Sequence, residues 1–201
     1  RSFRWHIPDW FNIGVDICDK NADQGRRTAL IYEKDTGEVD TFTFQDLKRF
    51  SNRLANAFDA LGLQPGDRVG ILLPQCPETA IGHIATYKVG GVAIPLFTLF
   101  GSDALTYRLA DSQAKVVITD TANLDKVLSI REELPHLQSI VVVHGGKREG
   151  IVDFWDCIDK GADDFTPVAT RADDPALIIY TSGTTGPPKG ALHAHRTLLG
   201  H

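Results

Sequence analysis

Methionine is absent from the 201 residues, and cysteine occurs only three times. Because even the first position lacks methionine, the true start is expected to be trimmed or to lie upstream. Cys18, Cys76 and Cys157 are scattered, odd in number and never closely spaced. That excludes a disulfide framework and a Cys-x-x-Cys metal site, and it suits a reducing compartment, so the expected location is cytoplasmic. No apolar run approaches the ~20 residues that span a bilayer. The opening Arg1-Ser2-Phe3-Arg4-Trp5-His6 also lacks the apolar core of a secretory signal. Basic charge is not in excess: 21 Lys and Arg stand against 26 Asp and Glu, a net charge of −5. This argues against nucleic acid or an anionic membrane as the principal partner. No GxGxxG follows an apolar run, so NAD or FAD is not expected. Internal repeats and low-complexity tracts are missing too.

What remains is ordinary globular composition, 42% hydrophobic and 23% charged, enough for one sizeable α/β domain or part of a larger one. Short apolar runs alternate with amphipathic stretches. Residues Thr28–Lys34 and Val39–Phe42 read as a hairpin across the turn Asp35–Glu38. Thr43 with Asp46 three positions later predicts a capping box. The helix that follows shows its apolar face at Leu47, Phe50, Leu54, Phe58 and Leu61, with Gly62 as its stop. A strand at Arg68–Leu73 halts at Pro74, and Pro77 suits the first turn of a helix whose buried stripe is Ala80, Ile81, Ile84 and Ala85. Gly90 and Gly91 close that helix.

Further strands are predicted at Val92–Leu96, Lys115–Thr119 and Ser139–Val143. Helices are predicted from a Ser102 cap to Ala110, over Ala122–Glu133, and over Val152–Lys160. Residues 144–150 read as a surface loop and 161–175 as an acidic connector. Ala176–Tyr180 is a continuous apolar run, as in a strand covered on both faces. Repeated β-α-β order implies right-handed crossovers and an α/β fold: a largely parallel sheet with helices on both faces. Gly190–His195 reads as a new strand and Arg196–His201 as the start of a helix. A domain rarely stops there, so the chain is expected to be a fragment. Residues 1–175 would form an α/β subdomain, and 176–201 a strand, a loop and the next element.

The chemistry lies directly after the apolar strand, in Thr181-Ser182-Gly183-Thr184-Thr185-Gly186-Pro187-Pro188-Lys189-Gly190. The hydroxyls of Thr181, Ser182, Thr184 and Thr185 can donate to phosphate oxygens. Gly183, Gly186 and Gly190 allow amides to turn inward, and Lys189 brings a charge on a long stem. A loop at the carboxyl end of a strand in an open α/β sheet is where ligands usually sit. Together these features read as a polyphosphate cradle. A Walker A loop is excluded, because Lys189 precedes glycine instead of Ser or Thr, and Pro187-Pro188 forbid a regular helix through the loop. Such a loop is expected to order around nucleotide. The bland alternative is a solvated Ser/Thr/Gly/Pro turn; the length of the motif and its place after an apolar strand favour the cradle.

Residues Thr181–Gly190 resemble the phosphate loop of the AMP-forming acyl-CoA synthetases, luciferases and nonribosomal-peptide adenylation domains. The likeness covers about Thr28 to His201. It includes Thr43–Leu47, the segment Leu63–Pro74, Ala93–Leu96, and Leu105–Ser112, in order and at matching spacing. Phe11-Asn12 and Pro95–Asp103 are most similar to the acetyl-CoA-synthetase-like and medium-chain branch.

This resemblance implies the amino-terminal part of an adenylate-forming fold and a ligase of fatty acid metabolism. Its partners would be a small carboxylic acid, ATP with Mg²⁺, and coenzyme A; a homo-oligomer is left open. Thr181, Ser182, Gly183, Thr184, Thr185, Gly186, Lys189 and Gly190 would bind the nucleotide phosphates, with Lys189 catalytic. The family's adenine, ribose and Mg²⁺ contacts and its carboxyl-terminal catalytic lysine would lie downstream, so the chain alone is expected to be inactive. Two rivals are an adenylation domain that loads a carrier protein and a stand-alone nucleotide-binding module.

Other residues read as structural. His193 and His195 could face one side of a strand, but two ligands without a third make no metal site, and none is expected. Asp163-Asp164 and Asp173-Asp174 read as solvated charge. Trp5, Trp10 and Phe11 read as anchors of the amino-terminal segment.

Overall fold

The computed structural model describes residues 5–146, 148–182 and 186–200. After the short helix α1 (Ile13–Ile17) and a 3₁₀ turn at Asp19–Asn21 comes the antiparallel hairpin of β1 (Thr28–Glu33) and β2 (Val39–Thr43). The expected capping box then starts α2 (Phe44–Ala60): the Asp46 amide donates to Thr43 Oγ1 at 3.1 Å, and the Thr43 amide donates to Asp46 Oδ2 at 3.0 Å. Two of the helix's otherwise unsatisfied donors find partners this way. Leu47, Leu54 and Phe58 are buried along its inner face, while Phe50 and Leu61 are half-buried. Past the helix end, Gly62 sits at φ 81°.

Next come β3 (Arg68–Leu72), α3 (Pro77–Lys88), β4 (Val92–Pro95), α4 (Ser102–Asp111), β5 (Val116–Asp120), α5 (Thr121–Ser129), β6 (Ser139–Val143), β7 (Val152–Asp153), α6 (Phe154–Lys160), β8 (Pro175–Thr181) and β9 (Lys189–Ala194). The main sheet runs β7-β6-β5-β3-β4-β8-β9, parallel throughout except for the last pair. Side chains of α2, α3 and α6 pack on one face with Val69, Ile71, Ile118 and Val141. On the opposite face α4 and α5 pack with Leu72, Ile94, Val117 and Ile140. The α/β fold, with helices on both faces of a largely parallel sheet, is therefore as the β-α-β pattern predicts.

Four local expectations need correction. Gly101, not Ser102, is the cap residue of α4. The helix after β5 ends at Ser129 and tightens into a 3₁₀ turn at Arg131–Glu133. Val152 and Asp153 pair beside β6 before the helix begins, because Asp153 itself accepts from the Asp156 amide and caps α6. Strand β8 is not covered on both faces: Ile179 is 39% exposed, and Leu192 on the adjoining edge strand β9 is 60% exposed.

Helix α3 also differs from a one-stripe helix. Glu78, Thr86, Tyr87 and Lys88 are buried along with the expected Ile81, Ile84 and Ala85. It lies between the sheet and other helices, so its polar groups need internal partners. The Lys88 ammonium, with no exposed surface, meets Asp19 at 2.6 Å, Asn52 Oδ1 at 2.7 Å and Ser51 Oγ at 2.9 Å. Burial lowers its pKa, and the Asp19 carboxylate opposes that shift.

These contacts dock the amino-terminal segment. Phe11 and Thr170 exchange two hydrogen bonds, and Asn12 donates to the Tyr87 carbonyl. Phe11 thus anchors as expected, whereas Trp10 stays 58% exposed beneath the Arg171 guanidinium; Trp5 is equally exposed. Among the described residues, no helix is long and apolar enough to cross a membrane.

Candidate functional site

Strand β8 enters the sheet beside β4 and runs parallel to it, so its carboxyl end lies where ligand loops of open α/β sheets emerge. The chain then turns back as β9. Thr181 pairs with Lys189, Tyr180 with Gly190 and Ile179 with Ala191. The motif is therefore the connection of an antiparallel hairpin, closed at its base by Thr181 and Lys189. Residues directly opposite in such a ladder project to the same face, which brings the Thr181 hydroxyl and the Lys189 stem to one side.

Thr181, Ser182, Gly186, Lys189 and Gly190 are all exposed, and Lys189 makes no ion pair with any described residue. Gly186 sits at φ 95°, the left-handed region that glycine occupies without strain. Gly183, Thr184 and Thr185 lie outside the described residues.

Gly190 is required by packing. A Cβ there would meet Ile178 at 2.9 Å and the Tyr180 ring at 3.2 Å. Tyr180 thus lies across its own register partner, and its hydroxyl donates to Asp111 Oδ2 on α4 at 2.6 Å. The Arg108 guanidinium stands 4.1 Å from the Phe100 ring and 5.7 Å from the Tyr180 ring, and Tyr107 meets Tyr180 edge-on. Burial and the adjacent Asp111 carboxylate push the Tyr180 phenol well above its ordinary range. None of these supports was read from the sequence. Only the place of Tyr180 directly before the motif could have singled it out, since Asp111 is 69 positions away.

The two histidines part company. His193 lies in the strand opposite Leu177. His195 begins a 3₁₀ turn (His195–Gly200) and has no exposed surface. Its Nδ1 accepts the Ile13 amide at 3.1 Å, which leaves the other ring nitrogen as the protonated one. Burial lowers its pKa to about 4. His195 is a structural pin, as the sequence suggested. Among the described residues, no three His, Cys, Asp or Glu side chains converge where a metal ion could sit.

The acidic pairs do more than face solvent. Asp163 meets Arg53 at 2.6 Å, Asp173 meets Arg196 at 2.8 Å, and the Asp174 carboxylate accepts the Arg171 amide. All three cysteines are free thiols, and burial raises Cys18 to about 12 and Cys157 to about 11, which makes them poor nucleophiles. Two concavities lie away from the loop. One of about 870 Å³ is bounded by α2, α6 and the 146–153 loop, and another of about 520 Å³ opens at the carboxyl ends of β3, β5 and β6.

Residues 18–200 match the family described as AMP-binding enzyme. The chain belongs to that family. It is 33% identical to the acetyl-coenzyme A synthetase of Streptomyces coelicolor over 94% of its length and 32% of the relative's. It is 34% identical to a mitochondrial acyl-coenzyme A synthetase of Mus musculus, over 97% of this chain and 35% of that one. The solved structure of an anthranilate CoA ligase in complex with anthranoyl-AMP superposes with a TM-score of 0.87 at 32% identity, covering 94% of this chain and 36% of that chain. The chain thus spans about a third of the length of the relatives it matches. The resemblance read from the Thr181–Gly190 motif and its flanking segments holds across almost the whole chain.

Proposed function

We propose that this chain is the phosphate-binding, amino-terminal part of an ATP-dependent acid–thiol ligase. In the first half-reaction a carboxylate oxygen attacks the α-phosphorus of ATP, the bond to the bridging oxygen breaks, and pyrophosphate leaves, giving acyl-AMP. In the second, the thiol of coenzyme A displaces AMP, releasing a proton and the thioester. Within residues 1–175 the sheet supplies the platform, and the hairpin of 176–201 supplies the loop.

The observation that carries this reading is the pairing of Thr181 with Lys189 at the base of an exposed hairpin loop at the carboxyl edge of the sheet. Thr181, Ser182, Thr184 and Thr185 would donate hydroxyl hydrogen bonds to the β- and γ-phosphates. Gly183, Gly186 and Gly190 would let main-chain amides approach them. The ammonium of Lys189 would offset the charge that grows on departing pyrophosphate, a stabilisation that acts most strongly as the bond breaks. Mg²⁺ would accompany the nucleotide, with its protein contacts downstream of His201. The free cysteines favour a reducing compartment, and we place the protein in the cytoplasm.

Carboxylate-dependent ATP–pyrophosphate exchange by the intact protein, run across acids of increasing chain length, tests the reaction and its acyl preference together. Thioester formation with free coenzyme A supports the ligase. Exchange with transfer only to a carrier protein would reassign it as a carrier-loading adenylation domain. Nucleotide binding without any exchange would reduce it to a binding module.

A further inference from the structure

The two ends of the loop must be held at a fixed separation and orientation if Thr181 and Lys189 are to meet the same phosphate groups. Tyr180 is the residue placed to do this. It directly precedes Thr181, pairs with Gly190 across the hairpin, and lies so close to Gly190 that a Cβ added there would meet its ring at 3.2 Å. One aromatic ring thereby touches both strands at the root of the loop. That ring is fixed from outside the hairpin by three residues of a single helix: Asp111 takes its hydroxyl at 2.6 Å, Arg108 holds its guanidinium 5.7 Å from the ring centre, and Tyr107 meets it edge-on.

Arg108 is itself fixed. It is 8% exposed, lies over Phe100 and donates to the Ala104 carbonyl at 2.7 Å. Among the described residues β9 is an edge strand whose Leu192 is exposed, so on this face the hairpin rests on Ile178 and Tyr180, which pack against the α4–α5 layer.

We propose that Tyr180 is a positioning residue for the nucleotide, and that its hydrogen bond to Asp111 couples helix α4 to the phosphate loop. The proposal rests on reading residues 181–190 as the phosphate site. Tyr180 acts through Thr181, Gly190 and Lys189. Losing its link to α4 would let the loop root tilt, weakening contacts made to the phosphates before and during bond breaking alike. Uniform weakening of this kind raises KM for ATP and leaves kcat nearly unchanged.

The test uses the intact protein and steady-state ATP–pyrophosphate exchange, with thermal unfolding measured in parallel. Tyr180→Phe keeps the ring over Gly190 and removes only the hydroxyl; it is expected to raise KM for ATP about fivefold, the worth of one ordinary hydrogen bond, with kcat within about twofold. Asp111→Ala should reproduce that change. Asp111→Asn keeps an acceptor oxygen and should recover KM to within about twofold of the parent, a rescue that a purely structural role does not predict. If Tyr180→Phe and Asp111→Ala lower the unfolding temperature while KM for ATP stays put, Tyr180 merely stabilises the fold and the proposal is wrong. If Asp111→Asn behaves like Asp111→Ala, the hydrogen bond is not the coupling and the proposal again fails. Lys189→Ala in the same assay separates the two levels: unchanged exchange there removes the phosphate-loop reading itself, whereas lost exchange with an unaffected Tyr180→Phe removes only the anchor.

Discussion

The two halves of the main sheet use their side chains in opposite ways. In β3, β5 and β6, Ile71, Val117, Ile118 and Ile140 are at most 2% exposed, sealed by helices on both faces. In β8 and β9, Ile179 and Leu192 are 39% and 60% exposed, and Thr181, Ser182, Gly186 and Lys189 stand in solvent. The first half is held by burial, which is indifferent to exact position as long as volume is kept. The second half is rooted by Ala176, Leu177 and Ile178 in the core, and beyond them it relies on a few specific contacts: Tyr180 to Asp111, His195 to Ile13, and Gly190 beneath a ring. The proposed phosphate site would need that arrangement, because its donors must face water until a ligand replaces it. Stability and binding should therefore separate cleanly by mutation.

The sharpest break of the comparison comes from a core truncation. Phe58→Ala empties a fully buried site on α2 and should cost about 3–5 kcal/mol in urea unfolding, with no direct effect on the loop. Next is Lys189→Ala, which touches only solvent-facing charge. It should leave unfolding unchanged while cutting ATP–pyrophosphate exchange by about 10²–10³-fold, roughly 2.7–4 kcal/mol of lost stabilisation.

Acid tests the seam between the halves. His83 and His195 have pKa values lowered by burial to about 4 from an ordinary 6.5. The unfolded chain therefore binds these protons more readily than the folded one. Stability is full above the ordinary value and falls as pH drops from 6.5 towards 4, by roughly 2–3 kcal/mol per ring once local opening is allowed for. Stability that rose on acidification through that window would contradict rings held neutral in the folded chain. His195→Asn should flatten part of the slope.

Gly190→Ala is smaller, about 1–3 kcal/mol, because the added methyl pushes against Ile178 and Tyr180; it should raise KM for ATP as it lowers stability, and so joins the two halves. Least of all, Thr43→Ala removes one side of the α2 capping box, and a loss of about 1 kcal/mol by urea unfolding is expected with nucleotide kinetics untouched.

Much of this was legible in the residue order. The hairpin Thr28–Glu33 with Val39–Thr43, the capping box at Thr43 and Asp46, Pro77 opening α3, and strand Ser139–Val143 lie where periodicity and turn chemistry put them. What misled was the face assignment of Ala176–Tyr180. A continuous apolar run looks the same whether a strand is sealed on both faces or shares its outer face with solvent, and only its neighbours in the sheet tell these apart. Nothing in the residue order singled out Lys88 in α3; its role appears only with Asp19, Ser51 and Asn52 around it.

The sequence by itself determined the α/β alternation, the family, and the decapeptide that carries the proposed chemistry, because these are written in residues near one another along the chain. The tertiary structure alone decided that the decapeptide closes a hairpin, that Tyr180 leans on Asp111 69 positions earlier, and that His195 caps the Ile13 amide 182 positions away. Such pairs depend on the order in which strands enter the sheet, and strand order is set by global burial of both faces, which no local window of residues contains.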